Sequence, residues 1–383
     1  MWLRRPTWLS HRPHRPEMLM WLSHPAQPLP PWAGNIDVAQ PPQPPQPPGI
    51  LVTARFDQDM APQLAKRADV AFHDWSTSRK RMDSTELTSL LRGRRILVTE
   101  IDQVDQALLE ACPDLSVVIT CRGNPVNVDI PACTERGVLA LNTPGRNAEA
   151  VADMAVGLII ACARHLVPAA ALIREGGWSA TGQRSVYFRF QGIDMDDATV
   201  GLVGLGAVAR AVRRRLRGFG TRVLAYDPYI SAEVFDDLDV VAVDLPALMA
   251  ESDFVSLHVH VTQETAGMIG EEQLACMKPT AFLINTARAG AVDQEAMYRA
   301  LKEKRIAGAA LDVFSQEPLP ADSPLRELDN VILTPHLGGA TPGQTKVQSR
   351  IVVEQALALL DGREPPHMLN PEVAKTAIEA LHR

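Results

Sequence analysis

The sequence predicts an α/β fold of parallel strands and helical crossovers, and three observations carry that prediction. From Ile50 onward, short apolar runs alternate with stretches of helical period, as strands joined by crossover helices do. Seven of these runs form one series after residue 198, enough for a complete doubly wound sheet. The first run of that series ends in a glycine-rich turn that opens a helix. With 383 residues, 46% hydrophobic and 22% charged, the chain has globular composition and length for two ordinary domains. Disorder is excluded as its main state.

Residues 1–48 are set apart. They hold 13 of the 30 prolines and four of the six tryptophans and end in PPQPPQPP, which favours extended polyproline II and builds no core, so they read as a tail or linker. Arg4 and Arg5 resemble the charged start of a secretory signal, but Pro6, Pro13 and Pro16 interrupt any apolar region. Ile50 to Ala54, Ile96 to Thr99, Ser116 to Thr120 and Val138 to Leu141 then read as strands of a first unit that ends near residue 146. Asn147 is a candidate N-cap for one long helix running to about Ile173, stopped by Gly176 and Gly177. The second series has strands at Thr199 to Val203, Val223 to Tyr226, Val240 to Val243, Phe254 to Val259, Ala281 to Asn285, Gly308 to Val313 and Val331 to Leu333. A final helix opens with Thr341, Pro342 and Gln344 as cap, first-turn proline and capping-box partner, and ends at Gly362 before Pro365 and Pro366.

Charge and cysteines narrow the function. A formal charge of −7 gives no basic field of the kind that draws a protein to nucleic acid or anionic membrane, so neither is expected as a partner. The longest strongly apolar run, Met154 to Ala163, is half the roughly 20 residues a membrane span needs. Five scattered cysteines without a Cys-x-x-Cys pair or a neighbouring histidine cluster predict reduced thiols, no metal centre and a cytoplasmic location.

The segment VGLVGLGAVAR (200–210) places Gly204-x-Gly206-x-x-Ala209 between an apolar strand and a helix. Gly204 permits the tight turn, Gly206 lets backbone approach a pyrophosphate, and the small Ala209 lets helix pack on sheet. The helix start offers N–H groups and positive dipole to phosphates. Val208, Val212, Leu216 and Phe219 share one face, leaving Arg210, Arg213, Arg214 and Arg217 as a solvated one. The next strand ends in Asp227, 23 residues beyond Gly204, where a ribose-binding carboxylate belongs. That acid accepts hydrogen bonds from ribose hydroxyls and repels a 2′-phosphate, so the predicted cofactor is NAD and not NADP. The plainer reading of Asp227 is a turn cap beside Pro228.

Beyond this fingerprint the chain resembles the D-isomer-specific 2-hydroxyacid dehydrogenases, the family that includes D-3-phosphoglycerate dehydrogenase. The matching stretches are NTPGRNAEAVAD (142–153), VGLVGLGAVAR, YDPYI (226–230), MKPTAFLINTARAGAVD (277–293), AGAALDVFSQEPLP (307–320) and LTPHLGGAT (333–341), within residues 50–373. The resemblance implies two doubly wound parallel-sheet domains, a Rossmann NAD-binding domain (151–337) inserted into a flavodoxin-like substrate domain (49–150 and 338–383). It also implies a homodimer built largely on the nucleotide domains, and a 2-hydroxy or 2-keto acid as the small-molecule partner.

Carried over residue by residue, the resemblance implies a catalytic trio. Arg288 grips the substrate carboxylate and polarises the keto oxygen. His336 is general acid for reduction and base for oxidation. Glu317, bonded to the other ring nitrogen, fixes the tautomer and favours the protonated imidazole. It further implies cofactor contacts at Ala207 and Val208 in the phosphate loop, at Thr286 and Ala287 beside the nicotinamide, at Asp312 toward the carboxamide, and at Gly338 and Gly339 near the ring. Taken singly, His336, Arg288 and Glu317 read as structural, surface and loop residues, and Asp312 as a strand-end cap.

The substrate loop departs from the family's pattern. It reads Cys121-Arg122-Gly123-Asn124-Pro125-Val126-Asn127 in place of the commoner glycine-rich run. Backbone N–H groups of this loop hold the substrate carboxylate in the family, so Gly123 and Asn124 are the expected donors. Arg122 either binds a second anionic or hydroxyl-rich group or pairs at the domain edge. His260 stands where the family usually has proline. Glu317 argues against formate dehydrogenase, where glutamine partners the histidine. An NAD(H)-sensing interaction protein or corepressor on the same fold is the rival of another class.

Overall fold

The computed structural model describes residues 48–383; the proline-rich segment read over residues 1–48 lies, but for Pro48, outside them. Two parallel sheets organise the chain. The first contains β1 (Gly49–Val52), β2 (Val70–Phe72), β3 (Arg94–Thr99), β4 (Val117–Thr120) and β5 (Leu139–Asn142) in the order β2-β1-β3-β4-β5, the flavodoxin-like arrangement. The second contains β6 (Thr199–Val203), β7 (Arg222–Tyr226), β8 (Val241–Ala242), β9 (Phe254–Leu257), β10 (Phe282–Asn285), β11 (Gly308–Leu311) and β12 (Val331–Leu333), ordered β12-β11-β10-β9-β6-β7-β8. That is the Rossmann order.

The strands are buried on both faces, which is why they read as unbroken apolar runs: every residue of β1, β4, β6, β9 and β11 is buried. β2 has no counterpart in the sequence reading. Its three residues are only half-buried at the sheet edge, too short a run to stand out from a loop.

The helix expected from Asn147 to Ile173 is two helices, Ala148–Ala163 and Leu166–Arg174, bent by 63°. Pro168 supplies the reason. In a continuous helix it could not donate to the carbonyl of Arg164 and its ring would clash there, so the chain breaks one turn earlier, with His165 at φ +50°. Asn147 occupies the cap position without a side-chain bond. At the Pro342–Leu360 helix, Thr341 Oγ1 accepts from Gln344 N as expected. The reciprocal half of the box is not made, because Thr341 N donates to Gly339 O and the Gln344 side chain turns inward and is buried.

The arginine face of the Ala207–Leu216 helix is also less solvated than expected. Arg213 is buried, donating to the backbone oxygen of Asp239 and to its carboxylate at 2.6 Å. Arg214 and Arg215 pair with Glu149, tying this helix to the Ala148–Ala163 helix.

The chain enters and leaves the second sheet's lobe by adjacent crossings. One apolar core joins β1, β3, β4 and β5 to the late residues Val352, Val353, Ala356 and Leu359, while the cores of the second sheet draw on residues 152–333. The outgoing and returning segments touch: a Cβ on Gly338 would meet Val151 Cγ2 at 3.5 Å, and one on Gly339 would meet Asn147 Nδ2 at 3.6 Å. No single helix among the described residues is long and apolar enough to cross a membrane.

Candidate active site

The order of the second sheet reverses between β6 and β9, and the crevice outside the carboxyl ends of those strands is where such sheets hold ligands. Gly204 follows β6 at φ +88°, and a Cβ there would lie 2.9 Å from Val259 Cγ1 and 3.1 Å from the carbonyl oxygen of His258. Gly206 caps the Ala207–Leu216 helix without a side-chain partner, and a Cβ on it would meet nothing within 4 Å. The first-turn N–H groups, of Ala207, Val208 and Ala209, have no acceptor within the helix, and Gly206 and Ala207 beside them are exposed, the condition a pyrophosphate requires. Ala209 is fully buried against the sheet.

Asp227 follows β7 beside this loop. Its Oδ2 accepts from Leu205 N at 2.8 Å and its Oδ1 from Tyr229 N at 3.0 Å, so it shapes the glycine turn and caps its own. On the other side of the crevice, Thr286 is buried with its hydroxyl unpartnered, as are both ring nitrogens of His258. Burial alone drives the His258 imidazole down to about 4, so it is neutral. A cradle of glycine backbone, uncapped helix start, terminal carboxylate and orphaned buried polar atoms fits a dinucleotide.

The second constellation hangs from β11 and β12. Asp312, just past β11 and almost wholly buried, accepts from Thr334 Oγ1 (2.6 Å), Leu337 N (2.8 Å) and Gly338 N (2.7 Å). It thereby anchors both sides of His336, whose φ of +53° costs on the order of 1 kcal/mol in a residue with a Cβ. The carboxylate expected to meet the carboxamide is thus already the anchor of the histidine loop. His336 Nδ1 lies 2.7 Å from Glu317 Oε2, while Glu317 Oε1 accepts from Phe314 N at 3.0 Å. Partial burial works against ionised Glu317. The His336 bond, the Phe314 N–H and the charges of His336 and Arg288 outweigh it and hold its carboxyl below the usual range.

Arg288 follows β10, where Asn285 shapes the turn by accepting from Ala287 N and donating to Arg288 O, both at 3.0 Å. The guanidinium is exposed and spends one donor on Ala287 O. It lines a cavity of about 390 Å³ with Asn124 from the first sheet's loop and with His260, Gly290 and Phe314. Phe314 also lines an apolar cavity of about 800 Å³ beside Glu317 and His336. The structure therefore joins Glu317 to His336 directly, sets Arg288 across Phe314 from them, and brings Asn124 to Arg288. His260 has a place here as cavity wall. Gly123 is fixed by Asn142, whose Nδ2 donates to its carbonyl at 2.7 Å.

One buried group was invisible to sequence reasoning. Glu100, just past β3, is 3% exposed and accepts from Arg55 Nη2 (3.0 Å), Trp75 Nε1 (2.9 Å) and Arg146 Nη1 (2.8 Å). Its carbonyl takes Arg122 Nε at 2.6 Å. The local signal, a carboxylate at the end of a strand, is common; the partners lie 22 to 46 residues away in the chain. Among the described residues no cluster of His, Cys, Asp or Glu is arranged to hold a metal ion. Cys112, Cys121, Cys133 and Cys162 are buried free thiols and Cys276 is exposed.

A Rossmann sheet with a dinucleotide crevice, inserted into a flavodoxin-like lobe and facing it with an arginine and a carboxylate-bound histidine, defines an NAD-dependent oxidoreductase. Comparison with known proteins agrees. Residues 156–338 match the family model described as "D-isomer specific 2-hydroxyacid dehydrogenase, NAD binding domain". A glyoxylate reductase of Korarchaeum cryptofilum is 44% identical over 72% of this chain and 82% of its own length. A D-3-phosphoglycerate dehydrogenase of Methanocaldococcus jannaschii is 38% identical over 74% of this chain and 53% of its own. The D-mandelate dehydrogenase of Rhodotorula graminis superposes with a TM-score of 0.73 at 25% identity, covering 84% of this chain and 97% of that one. The chain belongs to the D-isomer-specific 2-hydroxyacid dehydrogenase family and is an NAD-dependent 2-hydroxyacid dehydrogenase.

Proposed function

We propose that the chain interconverts a 2-keto acid and the 2-hydroxy acid, of D configuration where C2 is chiral, with Arg288, Glu317 and His336 as the reacting constellation; its relatives named glyoxylate reductase and D-3-phosphoglycerate dehydrogenase support this reading. When bound in the crevice at Gly204 and Gly206, NADH would supply the hydride for C2. Arg288 receives the substrate carboxylate on its fork and polarises the C2 carbonyl. As the carbonyl oxygen gains charge, His336 gives it a proton from Nε2, the nitrogen left over by the Glu317 bond. Glu317 holds the ring in that orientation, and in the reverse direction His336 takes the hydroxyl proton back. The 2.7 Å contact between His336 Nδ1 and Glu317 Oε2 carries this reading, because a carboxylate-fixed imidazole beside an exposed guanidinium is the equipment a keto acid needs.

The cofactor contacts in this reading are Gly204, Gly206, Ala207, Val208, Ala209, Asp227, Thr286, Ala287, Asp312, Gly338 and Gly339, and Gly123 and Asn124 help hold the substrate. Residues 49–150 with 338–383 form the substrate domain and 151–337 the NAD domain, closing on each other to exclude water. A homodimer in the cytoplasm completes it, supported by the exposed apolar residues of the Leu166–Arg189 region and by the buried free thiols.

The test is NADH oxidation against a panel of 2-keto acids, with His336→Asn beside the parent protein. Turnover should fall at least a hundredfold while NADH affinity stays within a few fold. Near-normal turnover in the variant refutes the role of His336.

A further inference from the structure

The first sheet has a switch point of its own, between β1 and β3, and the loops that leave those strands carry Arg55 and Glu100. Three arginines gather around Glu100 there, two on its carboxylate and one on its backbone oxygen. Arg55 and Arg146 share the Glu100 carboxylate. Arg122, from the loop after β4, receives only a backbone oxygen, through Nε. Its two terminal nitrogens, with four N–H donors, make no hydrogen bond or ion pair among the described residues.

This fork is held, not loose. Nε is pinned at 2.6 Å to the Glu100 carbonyl, and the carbonyl of Arg122 itself accepts from Thr143 N at 3.0 Å. Glu100 is in turn fixed by Trp75 and by two guanidinium groups, so the platform under Arg122 is rigid. The setting also disfavours a bare cation: partial burial, then the charges of Arg146 and Arg288, act against the protonated guanidinium more than Glu100 supports it. Two residues further on, Asn124 lines the same cavity as Arg288. A simple 2-keto acid brings one carboxylate, which Arg288 and the loop backbone suffice to hold. Arg122 then remains a half-buried, half-bonded cation among like charges, an arrangement that an incoming anion relieves.

We propose that Arg122 is a specificity-determining residue that binds a second anionic group, a carboxylate or phosphate on the substrate chain beyond C2, so that dianionic 2-keto acids are the substrate class. This rests on the reductase reading above. Glu100 is the positioning residue beneath it.

The full-length protein would be assayed with NADH on glyoxylate and hydroxypyruvate as monoanions, on oxaloacetate for a distal carboxylate and on 3-phosphohydroxypyruvate for a distal phosphate. A dianion should be preferred in kcat/KM by about ten- to hundredfold, the worth of one charge-assisted fork. Arg122→Gln should collapse that ratio through KM, and Arg122→Lys, which keeps the charge and loses the fork, should restore part of it. No preference in the parent, or a ratio unmoved by Arg122→Gln, overturns the proposal; equal losses on both classes assign Arg122 to the C1 carboxylate instead. If no keto acid is reduced, the reductase reading fails, and calorimetry then decides the anion site alone. With NADH present, malonate should bind at least about tenfold more tightly than acetate in the parent and not in Arg122→Gln; equal binding in the parent overturns it.

Discussion

Arg55, Trp75 and Arg146 converge on the Glu100 carboxylate, and burial opposes its charge; the donors prevail and hold its carboxyl down to about 2. A group whose pKa is lowered on folding stabilises the protein above its unfolded value, and that contribution disappears as pH falls toward the folded value. Glu100 should therefore contribute on the order of 3 kcal/mol at neutral pH, lost between about pH 4.5 and pH 2. Urea midpoints across that range should show Glu100→Gln less stable at neutral pH, with the two curves converging in acid; parallel curves would show that Glu100 is not the titrating group. Asp227 makes a second prediction. Removing its carboxylate in Asp227→Ala should raise the NADPH to NADH ratio of kcat/KM about tenfold or more, since a 2′-phosphate no longer meets a like charge. An unchanged ratio places the ribose elsewhere. Asp227 stood out in the sequence because it ends the strand after the glycine turn, whereas His336 and Glu317 were singled out only through motifs shared with the family. Glu100 was not, because its function exists only in partners that the fold collects from distant loops.

Among the elements, the helices of residues 166–189 stand apart. Leu166, Val167, Ile173, Trp178, Tyr187 and Phe188 are all exposed there, a concentration of apolar surface that monomeric proteins seldom leave uncovered. Sedimentation should give twice the chain mass, and Trp178→Glu with Phe188→Glu should shift it toward one chain. An unaltered dimer in the double variant would move the interface off these helices. The strands of both sheets other than β2 were legible from their apolar runs, and the bend after Ala163 had a visible cause in Pro168. The edge strand β2 and the burial of Arg213 were not legible, since both depend on what lies alongside: a neighbouring strand in one case, and Asp239 in the other.

For the whole molecule, the order of the strands was legible only as far as the family resemblance carried it; spacing along the chain does not say which strand lies beside which. The paired crossings at Asn147 and Gly339 have a mechanical consequence. Two pins set side by side permit a door to swing about one line and forbid it to wander. Were the lobes to close as proposed, His336, two residues from Gly338, would lie near the pivot and travel little, while Arg122 and Asn124 on the other lobe would sweep the wider arc. Proton donor and Arg288, borne by one sheet, would then keep their alignment while the substrate loop comes to them.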